Sequence, residues 1–305
     1  MEINKKNGNV CFNESKHIYW NDKTNNKYVS VTTLIHKFTP PFDEEFWSNY
    51  KAFERLADAS VFKMHKKEML TRKKISDLML QDAGINISTL TEAKKEILKE
   101  WELKKNISCE RGTNIHADRE NSFYTSETHE MSKHNFGGKL QLNGEFICKK
   151  NNFDLSLSRG IFPEYLVYSE SNDGKLTIAG QIDLLIKDGN DIYIVDFKTN
   201  KELKFKSGMD FNTKKNATML YPLNNLMDCN IMHYTLQLST YAWMLQKINP
   251  EFRIKQLLIV HYDHEGNTNY HELEYIKKDV ERMLGAYKKQ LVKETYLKNN
   301  KEIEY

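Results

Sequence analysis

Long hydrophobic runs are absent from this chain of 305 residues, and their absence excludes the membrane-spanning class of proteins. No apolar segment approaches the roughly 18 to 20 residues that a transmembrane helix needs. The first residues, Met1 to Lys6, contain no apolar stretch of the kind that secretory signals carry. Together with a mean hydropathy of −0.69 and 29% charged residues, these features predict a soluble, cytoplasmic protein without a membrane partner.

Cysteine is scarce, and no two cysteines have the C-x-x-C spacing. The four are scattered along the chain: Cys11, Cys109, Cys148 and Cys229. We therefore expect neither disulfides nor a zinc knuckle, which agrees with a reducing compartment. A large excess of one charge is also missing, because the formal net charge is only +3. That balance is compatible with nucleic-acid binding but does not by itself indicate it.

Two nearly continuous apolar runs, at residues 177–186 and 191–197, flank the turn Asp188-Gly189-Asn190. Runs of this kind around a glycine turn predict adjacent antiparallel strands in the covered middle of a sheet. Three charged residues interrupt the apolar pattern: Asp183, Asp196 and Lys198. A buried charge costs several kcal/mol unless a partner or a metal ion compensates it.

Asp196 and Lys198 are two residues apart, so the alternation of strand side chains places them on one face. The turn brings Asp183 close to them, and we predict a cation site with a lysine beside it. Hard oxygen ligands favour Mg²⁺, and a nearby histidine would favour Mn²⁺ as well. A buried Asp–Lys salt bridge without a metal is the alternative interpretation.

The order of the predicted elements indicates an α/β fold. Residues 17–20 and 28–32 predict short strands, and helical spacing of apolar residues follows from Asp43 to about Thr125. A further helix is predicted at residues 140–150. The series that begins with the helix ending near Phe123, with the short helix at residues 140–150 left out, is helix, strand, strand, strand, helix, strand, strand, helix. That order is typical of a mixed sheet flanked by helices.

We expect the chain to have two parts. Residues 1–108 would form N-terminal strands and a helical elaboration, and residues 109–305 would form the core. Within the core, the polar residues 201–230 are predicted to be an inserted loop. The basic run from His65 to Lys74 has two interpretations, a solvated helix face or an edge that contacts phosphates.

Further polar residues have ordinary interpretations when each is taken alone. His116 and Glu120 would be i,i+4 neighbours on a helix, where a histidine is often a surface or core residue. Glu164 begins the strand before the hairpin and would there be an exposed acid at a strand edge. Gln237 and Tyr241 also have i,i+4 spacing, which fits the polar boundary of an amphipathic helix.

In their order along the chain, however, five motifs resemble the RecB-type branch of the PD-(D/E)XK nucleases. They are Arg111-Gly-Thr-Asn-Ile-His116, Pro163-Glu164, Gly180-Gln-Ile-Asp183, Asp196-Phe-Lys-Thr199 and Gln237-Leu-Ser-Thr-Tyr241. The resemblance covers residues 109 to 262 and implies a restriction-endonuclease-like fold, a mixed central sheet flanked by helices. Within the branch, the layout is similar to phage exonucleases and to the mitochondrial genome-maintenance exonuclease.

The resemblance implies a role for each matched position. His116, Asp183 and Asp196 would be metal ligands, together with the backbone carbonyl of Phe197. Lys198 would be the catalytic lysine, and Glu164 would be an acid that supports the ligands or binds a second ion. The remaining matched residues would support the substrate and the active site: Arg111, Thr199, Gln237 and Tyr241.

The implied activity is that of a Mg²⁺-dependent DNA exonuclease, in which Mn²⁺ substitutes for Mg²⁺. The expected substrate is DNA that is single-stranded or has a free end. The expected setting is phage-type replication, recombination or repair, with a recombination or replication protein as a further partner and the host cytoplasm as the location. No iron–sulfur cluster is expected, because no closely spaced cysteine triplet follows Tyr241. The alternatives are a structure-specific or restriction-like endonuclease and an inactive nucleic-acid-binding module.

Overall fold

The computed structural model describes residues 3–209 and 215–301, and it divides into two units. The first unit comprises Met1–Thr39, Thr113–Ser207 and Thr218–Tyr305, and the second comprises Pro40–Gly112 and Gly208–Ala217. The division between residues 108 and 109 that the sequence predicts falls inside one long helix, and it stays a prediction.

Four short strands begin the first unit, each antiparallel to the next: β1 (Lys5–Asn7), β2 (Val10–Asn13), β3 (Ile18–Asn21) and β4 (Lys27–Ser30). The strand predicted at residues 28–32 ends at Ser30, because the Ser30 side chain accepts the N–H of Thr33 and caps helix α1 (Val31–His36). These four strands form an N-terminal meander. It is continuous with the central sheet, since β4 runs parallel to the strand that contains Ile178 and Ala179.

The central sheet is mixed, as the order of the elements predicts. Its remaining strands are β5 (Thr128–Glu130), β6 (Glu145–Ile147), β7 (Arg159–Glu170), β8 (Thr177–Asp188), β9 (Asp191–Lys198), β10 (Arg253–Tyr262) and β11 (Thr268–Leu273). Strands β7, β8 and β9 are successively antiparallel, and β10 runs parallel to β9. The turn of the β8–β9 hairpin contains Gly189, whose φ of +59° suits glycine.

Helices cover both faces of this sheet. On one face, α1 packs with α6 (Asn230–Ile248) and α7 (Lys277–Lys301) over buried side chains such as Ile182 and Leu236. On the other face lie the end of α5 (Ile87–Phe123) and residues 131–148. The restriction-endonuclease-like class predicted from the sequence is therefore confirmed.

The prediction of a helix at residues 140–150 is wrong. This segment is irregular and contains the short strand β6. Its buried residues are Leu140, Leu142, Phe146 and Cys148. The first two and the last two are each separated by two positions, which is the period of a strand and places residues on different sides of a helix, so an extended chain buries all four.

The second unit is helical. Its helices are α2 (Glu44–Leu56), α3 (Ala59–Arg72), α4 (Asp77–Asp82) and the first part of α5, around buried residues that include Phe53 and Met69. Asp43 caps α2 by accepting the N–H of Phe46 at 2.9 Å. The lysines and arginines of the basic run are exposed, which agrees with a solvated face and leaves phosphate contact open.

The segment predicted as an inserted loop joins β9 to α6. Its described part contains isolated bridges, Met209 with Asn216 and Thr218 with Met227, but no named strand or helix. Residues 210–214 of the predicted loop lie outside the described residues. Among the described helices, none combines the length and the apolar character that crossing a membrane requires.

Candidate active site

Strands β7 and β8 place two carboxylates opposite each other. The register pairs Pro163 with Leu184 and Tyr165 with Ile182, which leaves Glu164 across from Asp183. Glu164 has a φ of +50°, a left-handed conformation that costs a residue other than glycine on the order of 1–3 kcal/mol. Backbone strain of this kind concentrates at functional sites. Here it interrupts the regular alternation of side chains along β7 at Glu164.

Strand β9 adds a second pair of charges. The Lys198 Nζ lies 2.5 Å from Asp196 Oδ2, so the two residues share a face as the sequence predicts. Asp196 is only 1% exposed, so its charge and that of Lys198 compensate each other in a buried pair. The backbone N–H between them, that of Phe197, donates to Asp183 Oδ2 at 2.7 Å and holds the β8 carboxylate against β9.

Helix α5 brings His116 to the same place. Its Nε2 lies 2.9 Å from the carbonyl oxygen of Phe197, and its Nδ1 lies 3.5 Å from Asp183 Oδ2 and 3.9 Å from Glu164 Oε1. One ligand atom from each of His116, Glu164 and Asp183 lies within 4.8 Å of the others. Asp196, a predicted ligand, lies outside that group.

The charges of the site are arranged for a cation. Burial raises the pKa of Asp183, and burial with the neighbouring Asp183 charge raises the pKa of Asp196 to about 6. Burial alone would lower the pKa of His116, but Asp183 and Glu164 outweigh it and raise that pKa to about 9. Likewise, Asp196 and Asp183 outweigh burial and raise the pKa of Lys198. The protons held by His116 and Lys198 therefore supply positive charge beside the carboxylates, and a metal ion would supply positive charge in place of the His116 proton.

Oxygen and imidazole ligands in this number suit a divalent ion. Ligands on opposite sides of a Mg²⁺ ion are separated by about 4 Å, because each lies about 2.1 Å from it. The three ligand atoms lie within 4.8 Å of one another, which is close to that upper limit. Asp196 Oδ2, which lies 2.5 Å from the Lys198 ammonium, is a further buried oxygen beside them. The residues present therefore fit a divalent metal ion.

Gln237 and Tyr241 of α6 support this centre from the adjacent face. The Gln237 Nε2 donates to Asp196 Oδ1 at 3.4 Å and to the Tyr241 hydroxyl at 3.1 Å. Gly180 of β8 leaves room for the tyrosine, because a Cβ atom on it would lie 2.5 Å from Tyr241 Cε1. Two motifs that are far apart in the chain are thus joined by packing.

Gly180→Ala is expected to lower the free energy of unfolding by about 1–3 kcal/mol, because the added methyl group overlaps the Tyr241 ring. Urea unfolding measures the effect. Gly285→Ala is the control, since a Cβ atom there meets open space and alanine stabilises a helix by about 0.5–1 kcal/mol. Wild-type stability in Gly180→Ala would contradict the packing role.

Two residues beside Lys198 had no role in the sequence-based site. The Lys198 ammonium lies 4.7 Å from the centroid of the Tyr234 ring, and the Tyr234 hydroxyl donates to Asn200 Oδ1 at 2.8 Å. Tyr234 precedes Gln237 by about one helical turn on α6. That spacing in the sequence could have indicated that Tyr234 lies on the same side of the helix as Gln237. Of the other predicted residues, Thr199 follows β9 directly, and Arg111 lies on α5. The predicted roles of both stay predictions.

Residues 88–303 match the model of the PD-(D/E)XK nuclease superfamily. The chain belongs to this superfamily. Asp196-Phe197-Lys198 has the form of a (D/E)XK element, and its role in the nuclease stays a prediction. Such nucleases generally use divalent ions, and His116, Glu164 and Asp183 form a candidate cluster for one. Membership also implies a nucleic-acid substrate.

Other comparisons add little to this assignment of the nuclease. A search of curated proteins finds no match. Among solved structures, SSO0001 is 18% identical with a TM-score of 0.27, covering 43% of this chain and 50% of its own. A protein named "Putative exonuclease" from Eubacterium rectale is 12% identical with a TM-score of 0.32, covering 87% of this chain and 80% of its own. The chain thus spans about half the length of SSO0001.

Proposed function

We propose that this nuclease is a metal-dependent DNA exonuclease that hydrolyses phosphodiester bonds from DNA ends. The observation that carries the proposal is the convergence of ligand atoms from His116, Glu164 and Asp183 within 4.8 Å, next to the pair formed by Asp196 and Lys198. Membership of the nuclease superfamily supports the reaction class. The likeness of the five motifs to the RecB-type branch supports action from ends.

The residues of the site have separate tasks in this proposal. A divalent ion, Mg²⁺ or Mn²⁺ in its place, would supply the positive charge that a scissile phosphate requires. His116, Glu164 and Asp183 would hold that ion, with Asp196 and the Phe197 carbonyl as further oxygen donors. The Phe197 N–H keeps Asp183 in place, so the ligands are oriented before the substrate arrives.

Lys198 is the residue that we assign to the reacting phosphate. Its ammonium is held between Asp196 and the face of the Tyr234 ring, which restricts a long side chain to one direction. An ammonium has three N–H donors, and those not used by Asp196 are available to a phosphate oxygen or to the attacking water. A donor fixed in a buried site stabilises developing negative charge more strongly than one in water.

The requirement for an end is tested with matched linear and covalently closed circular DNA, each single- and double-stranded, in Mg²⁺ and in Mn²⁺. We expect linear DNA to be degraded to short products while circles persist, because only linear DNA offers an end. Equal cutting of circles would favour a structure-specific or restriction-like endonuclease. Binding without cleavage in either metal would favour an inactive nucleic-acid-binding module.

An RNA oligonucleotide of the same sequence tests the choice of DNA, and we expect it to be cleaved more slowly. Phage-type replication, recombination or repair is the process that we propose for such an activity. A replication or recombination protein would then be the partner that delivers DNA ends.

A further inference from the structure

Lys5, from the first strand of the chain, reaches the candidate metal site. Its Nζ lies 3.2 Å from Glu120 Oε1 and 3.6 Å from Glu164 Oε2. The lysine side chain is 14% exposed, as is that of Glu164. Glu120 also accepts the Tyr124 hydroxyl at 3.3 Å. An ammonium is thus inserted among acids more than a hundred positions away in the chain.

The placement of β1 directs this lysine. Asn7 lies two residues after Lys5, and its Nδ2 donates to the carbonyl of Leu166 on β7 at 2.8 Å. Residues two apart on a strand point to the same side, so the contact that anchors Asn7 to β7 also turns Lys5 toward Glu164. Lys6 points the other way and pairs with Asp22 at the surface.

Glu164 therefore has different partners on its two oxygens. Oε1 faces His116 at 3.9 Å, on the side of the other ligands, and Oε2 faces Lys5 at 3.6 Å. A carboxylate that bridges two metal ions presents one oxygen to each, with the ions about 3.5–4 Å apart. The Lys5 ammonium lies on the Oε2 side of Glu164, the side from which the second ion of such a pair would approach, and like charges a few ångströms apart repel strongly.

We propose that Lys5 occupies the position of a second cation, so that the site holds a single divalent ion on the His116 side of Glu164. The proposal rests on the proposed function. Lys5 acts as a positioning residue, because its ammonium holds the strained Glu164 and neutralises Oε2. Glu120 balances the added positive charge and keeps the lysine in place. The N-terminal meander is thereby part of the active site.

The test is the number of Mn²⁺ ions bound by the full chain without DNA, measured by electron paramagnetic resonance and calorimetry. We expect one ion that depends on Asp183 in the wild type. Lys5→Met should admit a second ion, and the Hill slope of cleavage against Mg²⁺ should rise from about one toward about two. Lys5→Arg should keep a single ion. The matched control is Lys6→Met, which removes the neighbouring ammonium and should change neither count nor slope.

Two Asp183-dependent ions in the wild type would overturn the proposal, and so would a single ion in a folded Lys5→Met. The wild-type count decides the matter even where Lys5→Met fails to fold, which its melting curve reveals. These outcomes leave the nuclease proposal intact. A wild type that binds no Mn²⁺ through Asp183 would instead overturn both.

Discussion

Asp183→Asn is expected to lower the rate of DNA cleavage by roughly 10³-fold or more, while the metal-free protein becomes no less stable. The loss follows because the variant removes one of the two carboxylate charges among the three converging ligands. The retained stability follows because burial raises the pKa of Asp183. For an acid with a raised pKa, ionisation opposes folding at every pH above its ordinary value, so a neutral side chain of the same shape relieves that cost.

Asp188→Asn is the matched control, since it makes the same change on the same strand. Asp188 accepts two hydrogen bonds from Arg159, at 2.8 and 3.1 Å, in a pair that is partly open to solvent. We expect a loss of about 0–1 kcal/mol in unfolding free energy with unchanged cleavage. Steady-state cleavage and thermal melting in the presence of chelator measure both variants. Cleavage by Asp183→Asn at the wild-type rate would contradict the assignment of the site.

Removal of divalent ions has the second large expected effect. Chelation should abolish cleavage, and Mn²⁺ at about 100 times its dissociation constant should stabilise the fold by about 2.7 kcal/mol. Each kcal/mol of added unfolding free energy raises the Tm by about 2–4 °C in domains of about 150–250 residues, and we expect a similar rise here. Differential scanning calorimetry with and without Mn²⁺ measures the shift. Asp183→Asn should lose most of it.

The metal-dependent shift in Tm should also grow as the pH is raised from 6 toward 9. The pKa of His116 is raised to about 9, so its protonation stabilises the metal-free fold below the ordinary histidine pKa. That contribution is lost as the pH rises through about 9. A metal ion must displace this proton, and therefore binds more tightly at the higher pH. A wild type that shows no shift at any pH would support the alternative of a salt-bridged hairpin without metal.

The local sequence was sufficient to predict the hairpin that carries most of the site. Apolar runs around Gly189 specify two strands, and a spacing of two residues places Asp196 beside Lys198. These features depend on neighbours in the chain, so no knowledge of the fold was needed. The order of the elements likewise predicted a mixed sheet, because a strand that follows a crossover helix can pair in parallel, as β10 does with β9.

Other features depend on residues that are distant in the chain. Nothing in the sequence around Lys5 indicates that it reaches Glu164, since the contact requires β1 to lie along β7. The clash that restricts position 180 to glycine exists only once α6 has packed on β8. The error at residues 140–150 has a related origin, because short apolar segments fit several periods until a neighbouring strand selects one.

By itself, then, the sequence determined the strands of the hairpin, the charged residues within them and the class of the sheet, because side-chain alternation and turn chemistry are local. Only the tertiary structure decided which basic side chains lie against the carboxylates of the site. It set His116 against Asp183 and Glu164, gave Glu164 a left-handed backbone, and placed the Lys5 ammonium on the far oxygen of that carboxylate. Those outcomes depend on packing between remote segments, which no local pattern encodes.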